Sequence, residues 1–349
     1  MDAALKRWTD EKDYLLAGRP VPKNDGRPTL VELANLYADG CKKRVYANEL
    51  SPETLAEYTK SIKRLIEIRG KNEKPDDWTP LDYAAIKECL FAPIKRTIAI
   101  RGGIKGSQVE RRSSITVDGD IRCIKAFLNW CADCELMEPP RFGKEFAQTS
   151  RKTLRKMKAE VGRRDIQADD LRTILGQASP HFLPIILLGI NAGIGAKDIA
   201  HMRLEHQRGS EWLSLPRLKT GADRRLWLWP ETRSAIDAYL ERRMTPYGKE
   251  FAERLFVTKY RQPWMRGTHD GIGKLFVTLR SECGIERGTF YDLRRTFQTI
   301  ADETRDFPTV KYIMGHVASA DDMSAQYRQH ITDDAIKAVC AYVRTWLFR

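Results

Sequence analysis

Residues 290–299 read Phe290-Tyr291-Asp292-Leu293-Arg294-Arg295-Thr296-Phe297-Gln298-Thr299, and this stretch decides how the rest of the chain is read. A helical repeat puts Leu293, Phe297 and Ile300 on one face and Tyr291, Arg294 and Gln298 on another. An arginine on the polar side of a helix whose other side is anchored in a core has a pre-set fork suited to a phosphate. The same geometry suits bracing a carboxylate. Downstream, Val310, Ile313 and Met314 form an apolar turn stopped by Gly315. His316 is thereby presented just past a helix end, a position where histidine is also a favourable cap. Tyr327 follows eleven residues later in SAQYRQH. Upstream, Trp212-Leu213-Ser214-Leu215 and Leu226-Trp227-Leu228-Trp229 are short strand-like runs joined by LKTGADRR. Thr220-Gly221 marks the bend of that hairpin and places Lys219 at its tip.

The chain around this stretch has 349 residues, 42% hydrophobic and 31% charged, enough for two or three packed domains and too apolar for a disordered polymer. Sixty Lys and Arg against 47 Asp and Glu leave a net charge of +13, which favours a polyanionic partner. The longest apolar run, 182–190, is half of a membrane span, and the first residues lack the apolar core of a signal peptide. A soluble intracellular protein is expected. Seven scattered cysteines argue against a secreted disulfide framework. Cys131 and Cys134 form a C-x-x-C inside a helical pattern with no second pair, which favours core packing over zinc or redox chemistry. No H-E-x-x-H or carboxylate cluster supports a metal nuclease.

Residues 1–28 are polar and broken by Pro20, Pro22 and Pro28, and read as an arm. Residues 29–140 read as an all-helical domain. Thr29 and Glu32 make a capping box, Ser51 caps a helix with Pro52 at its first position and Gly70 as its stop, and Val117, Ile121, Ile124, Leu128 and Cys131 form a helical stripe. Within it, 95–112 carries Lys95, Arg96, Arg101, Lys105, Arg111 and Arg112 with Gly102, Gly103 and Gly106 between them, a loop fit either to lie along phosphates or to remain a solvated surface. Residues 141–167 read as a basic interdomain linker, with Arg151, Lys152, Arg155 and Lys156 available to a duplex backbone. Residues 168–349 then mix helices with a few strands and end in an amphipathic helix, 335–348, with Ile336, Val339, Cys340, Val343 and Leu347 on one stripe.

The fragments LKTG, YDLRRTF, MGH and QYRQH, in this order in a basic chain, resemble the tyrosine recombinase (phage integrase) family. The resemblance covers roughly 30–349. It implies a mostly α fold: an N-terminal helical core-binding domain and a C-terminal mixed α+β catalytic domain with a small antiparallel hairpin. By resemblance, Tyr327 matches the nucleophile that becomes joined to a DNA 3′ phosphate, and Lys219 the acid that protonates the departing 5′ oxygen. Arg294 matches an arginine that binds the scissile phosphate, and His316 a group that hydrogen-bonds it. No metal or nucleotide cofactor is implied. The partners implied are double-stranded DNA and other copies of the chain, as a tetramer on DNA assembled from free monomers, with the terminal helix packing on a neighbour or on its own domain. The expected location is the cytoplasm, with the nucleoid.

Two positions depart from the family pattern. Gly195 stands where the family has its first arginine, in Asn191-Ala192-Gly193-Ile194-Gly195-Ala196-Lys197, and Tyr291 stands where His or Lys is usual. Lys197 is the nearest replacement cation, with Arg203, Arg224 and Arg225 as alternatives if the fold turns them inward. Three functions follow: an integrase of a mobile element acting through a phosphotyrosine, a DNA-binding protein on the same fold whose chemistry has lapsed, and a type IB topoisomerase-like enzyme.

Overall fold

The computed structural model describes residues 26–99, 105–206, 211–267, 269–317 and 322–349, together with Trp8, Lys12, Leu15 and Leu16. The chain divides into two compact units, 1–161 and 162–349. Arg101 and nearly all of the 1–28 arm lie outside the described residues.

The first unit is built on α1 (Leu30–Tyr46), α2 (Pro52–Arg69), α3 (Pro80–Phe91) and α4 (Ser114–Asp133). Their starts are local chemistry. Thr29 and Glu32 cap each other's backbone N–H, Ser51 accepts from Thr54 N–H ahead of Pro52, and Thr79 and Asp82 repeat the capping box. The α4 stripe of Val117, Ile121, Ile124, Leu128 and Cys131 is fully buried against Leu30, Leu33, Ile62, Leu65, Tyr83 and Ile86. Cys131 thus belongs to the core, while Cys134 is exposed.

One element corrects the helical reading of 29–140. Two strands there pair antiparallel, β1 (Ile94–Ala99) with β2 (Lys105–Glu110), in which Lys95 pairs Val109 and Ala99 pairs Lys105. Thr97 and the isoleucines at 94 and 98 favour strand. Lys95, Arg96 and Lys105 therefore lie in strands. The 141–167 stretch contains a helix, α5 (Arg151–Val161), that carries Arg151, Lys152, Arg155 and Lys156 as exposed residues and buries none of its own.

The second unit packs α6 (Ala168–Gln177), α7 (Leu183–Asn191), α8 (Ala196–Ala200), α9 (Pro230–Arg242), α10 (Gly271–Glu282), α11 (Phe290–Ala301), α12 (Phe307–Ile313), α13 (Met323–Tyr327) and α14 (Asp333–Phe348). Two further antiparallel pairs accompany them, β3 (Trp212–Ser214) with β4 (Arg225–Trp227) and β5 (Met265–Arg266) with β6 (His269–Asp270). The apolar run 182–190 becomes α7, buried on all sides and packed against α9 and α11. Gly189 allows this approach: a Cβ there would stand 2.8 Å from Leu293 Cδ1 and 3.0 Å from Phe290 Cζ. At the end of α7, Asn191 donates to the Trp227 carbonyl and accepts from Trp229 N–H, both at 2.9 Å, which fixes the β3–β4 hairpin to the central helix.

The α14 stripe packs inside its own unit. Ile336, Val339, Cys340, Val343 and Leu347 are buried in the same core as Leu293 and Trp229, and Trp229 Nε1 donates to the Cys340 carbonyl at 2.8 Å. Burying this apolar surface intramolecularly removes the face that packing on a neighbour would use.

Candidate active site

Three of the sequence motifs meet at the turn 314–316. Arg294 projects from α11, whose start is capped by Thr289 and Asp292. Its guanidinium is buried and donates to the Gly193 carbonyl at 2.6 Å, the Met314 carbonyl at 2.8 Å and His316 Nε2 at 2.9 Å. Arg294 braces no carboxylate among the described residues; it is tied to backbone oxygens and an imidazole. Burial draws its pKa down to about 10, and Arg217 is the strongest neighbouring charge pushing the same way.

An arginine only donates, so His316 Nε2 is an acceptor and the neutral ring carries its proton on Nδ1. Burial first, then the charges of Arg294, Arg217 and Lys311, hold the His316 pKa below its ordinary value. Its backbone N–H closes the end of α12 on the Lys311 carbonyl at 2.9 Å. His316 is thus both a helix-end residue and a neutral donor beside Arg294.

The hairpin brings in the LKTG motif. Arg217 N–H donates to the Ala222 carbonyl at 2.8 Å, and the Arg217 carbonyl accepts from Thr220 and Gly221 N–H at 3.1 and 2.8 Å, a tight bend with Gly221 at φ +67°. Arg217 Nη1 and Thr220 Oγ1 both reach the Gly315 carbonyl, at 3.3 and 3.4 Å. Lys219, between them in sequence, is exposed on the bend. Gly315 itself has φ +64°, and a Cβ there would stand 3.0 Å from Arg217 Cβ and 3.4 Å from Arg224 Cδ.

Asp198 ties the start of α8 to this hairpin. It is buried, and accepts from Arg224 Nη2 at 2.8 Å and from Leu218 N–H at 3.3 Å. The Arg224 side chain is 0% exposed, and its Nε and Nη1 have no hydrogen-bond partner among the described residues. Arg225 is held elsewhere, bidentate to Asp333 at 2.8 Å and stacked over Trp212. Arg203 is paired with Glu205 at 2.8 Å. Lys197 is exposed one residue inside α8. Gly195 is the N-cap of α8, and no heavy atom lies within 4 Å of where its Cβ would be.

Tyr291 is 55% exposed on α11, with the Arg295 guanidinium 4.9 Å from its ring centre. Tyr327 ends the short helix α13 and is 76% exposed, and among the described residues its hydroxyl forms no hydrogen bond with Arg294, Arg217 or Lys219. Arg294, His316 and the Lys219 bend are gathered at one place, and Tyr327 is open to solvent.

Of the basic residues expected to face a duplex, Arg112 does not. It is buried, donates to the Leu90 carbonyl at 2.9 Å and pairs with Asp120, which also accepts from Ser61 and from Arg64 at 2.7 Å. A carboxylate carried into the core by α4 demands such partners, and Arg112 supplies one. Arg111 beside it is exposed. Arg217 and Asp198 also reach this region and are not among the candidates named from the sequence. The signal available for Arg217 was a second cation two residues before Lys219 on the same hairpin.

Among the described residues, no helix is long and apolar enough to cross a membrane, and no group of three His, Cys, Asp or Glu side chains is placed to hold a metal ion. No protein-family model matches the chain, and no curated protein matches it in sequence. Solved structures do. The chain is similar to a lambda integrase dimer bound to a COC′ core site, with TM-score 0.61 and 16% identity over 94% of this chain and 86% of that one. It is similar to a lambda integrase tetramer bound to a Holliday junction, with TM-score 0.60 and 16% identity over 95% and 88% of the two chains. A Tn1549 transposon integrase in complex with circular intermediate DNA gives TM-score 0.57 and 16% identity over 89% and 98%. The chain therefore has the tyrosine recombinase fold: mostly helical, with small antiparallel sheets.

Proposed function

We propose that this protein is a site-specific DNA recombinase, the integrase of a mobile element, which cleaves and rejoins DNA through a 3′-phosphotyrosine on Tyr327. The observation that carries this reading is the convergence on 314–316: Arg294 bonded to Met314 and His316, and the bend bearing Lys219 tied to Gly315. The matching structures support a DNA partner, since the lambda and Tn1549 integrases were solved with DNA.

In this reading Tyr327 Oη forms a bond to phosphorus as the bond from phosphorus to O5′ breaks. The phenolic proton leaves to solvent and the Lys219 ammonium gives a proton to O5′. Arg294 and the Nδ1–H of His316 hold the non-bridging oxygens as charge builds on them, and Tyr291 is a further hydroxyl donor at the rim. The bond energy is kept in the phosphotyrosine, so a second 5′ hydroxyl can reverse the step without ATP. The first unit and the exposed cations Arg111, Arg151, Lys152, Arg155 and Lys156 grip the duplex backbone. Exchange takes place in a tetramer assembled on two duplexes from free monomers.

The test is a suicide duplex, nicked beside the cleavage position of the element's own attachment site, incubated with wild-type protein and with Tyr327→Phe. A covalent adduct with wild type alone is expected, and its absence would overturn the enzymatic reading. A second reading, a DNA-binding protein without chemistry, is favoured by the empty space at Gly195. It expects duplex binding that weakens steeply with salt and is unchanged in Tyr327→Phe.

A further inference from the structure

Two guanidinium groups and an imidazole border one turn, and the acid beside them is already engaged. Arg294 already gives three of its five N–H donors to two carbonyls and His316. Asp198 gives one oxygen to Arg224 and the other to Leu218 N–H. Arg217 makes a single long contact, Nη1 to the Gly315 carbonyl at 3.3 Å, and among the described residues it pairs with no carboxylate. Its charge acts on both Arg294 and His316. Like charges held together repel, and an anion seated among them relieves that repulsion.

The other cations of this region do not present a fork. Arg224 has no exposed side-chain surface, and Arg225 and Arg203 are bonded to Asp333 and Glu205. Lys197 offers a point charge, where a guanidinium gives two parallel donors to a phosphate. Arg217 has the fork, partial exposure and a fixed backbone. Its N–H and carbonyl are both used inside the bend, and Gly315 leaves room for its stem to cross the turn.

We infer that Arg217 is the second phosphate-binding arginine of this site, sharing with Arg294 and His316 the non-bridging oxygens of the phosphodiester, and so supplies from the hairpin the cation that Gly195 lacks. The inference rests on the recombinase reading for the identity of the phosphodiester, but anion binding by Arg217 can be tested without it. In the full-chain protein, inorganic phosphate is titrated while the His316 ring resonance is followed by NMR. Phosphate should shift that resonance saturably in the wild type, at least about tenfold more weakly in Arg217→Ala, and to an intermediate degree in Arg217→Lys. The control Arg225→Ala should match the wild type. Thermal melts establish that each variant is folded.

An unchanged phosphate response in folded Arg217→Ala, or none in the wild type, overturns the inference. On the suicide duplex, Arg217→Ala should form adduct about 10³-fold more slowly, and Gly195→Arg added to it should restore part of the rate. Equal adduct formation by wild type and Arg217→Ala overturns the inference and leaves the recombinase reading standing. Absence of adduct in the wild type overturns that reading, while the phosphate titration still decides the role of Arg217.

Discussion

The guanidinium of Arg294 donates to Nε2 of His316 at 2.9 Å, joining the middle of one helix to the residue just beyond another, 22 positions later. This bond sets the tautomer of the histidine and orients the arginine. It also makes the protonation state of His316 a condition for the site, because an imidazolium has no lone pair to accept with.

His316 is expected to titrate below its ordinary value of 6.5, because burial and the charges of Arg294 and Arg217 disfavour its cationic form. Between the folded and unfolded values the unfolded chain binds more protons. The stability contributed by the neutral ring is therefore complete above pH 6.5 and is lost as pH falls through the folded value. Following the His316 resonance against pH checks the direction. Arg294→Met should move that midpoint upward, and urea denaturation at stepped pH should show the loss on the acid side.

Arg294→Ala should cost about 2–4 kcal/mol of stability, since it strands the Gly193 and Met314 carbonyls in the core, and it also removes the proposed phosphate ligand. Arg294→Lys should recover little, because one ammonium cannot reach both carbonyls and the imidazole in the geometry of a planar fork. Urea midpoints measure the first effect and adduct formation the second.

Gly189→Val should destabilise the second unit by about 1–3 kcal/mol, because its side chain would meet Leu293 and Phe290 at the closest approach of α7 and α11. Adding Leu293→Ala should recover part of the loss. A double-mutant cycle on denaturant midpoints reads the coupling.

Arg112→Ala should lower stability and leave the salt dependence of duplex binding unchanged, because Arg112 answers Asp120 in the core. Arg155→Ala on exposed α5 should do the reverse, reducing the slope of log affinity against log salt by about 0.9 if it touches one phosphate. Binding isotherms at several salt concentrations separate the two.

Val343→Ala should cost about 1–3 kcal/mol and leave the free protein monomeric, because the α14 stripe is buried within its own unit. Light scattering checks the mass and thermal melts the stability. A DNA-free tetramer that dissociates in Val343→Ala would contradict the packing described for α14.

What the sequence determined by itself is local. Thr29, Ser51, Pro52 and Gly70 place helix ends because caps and stops act within a few residues. The stripes of α4 and α14 declare their buried faces because a helix repeats every 3.6 residues. LKTG, YDLRRTF and MGH could each be recognised as a short fragment with its own chemistry, and their order was enough to anticipate the fold.

Tertiary structure decided which charges meet. Arg112 looks like its neighbour Arg111 in sequence, yet a buried Asp120 one helix away takes it into the core. Lys197 lies nearest in sequence to Gly195, yet Arg217 comes to the turn with Arg294 and His316, because the bend of the hairpin folds back on Gly315. The basic stretch 95–112 gave no sign of its strand register, and α14 did not declare which surface its stripe would cover. The physical reason is common to all four. Charge and hydrophobicity belong to single residues, whereas a binding site depends on distances between side chains that only the packing of remote segments brings together.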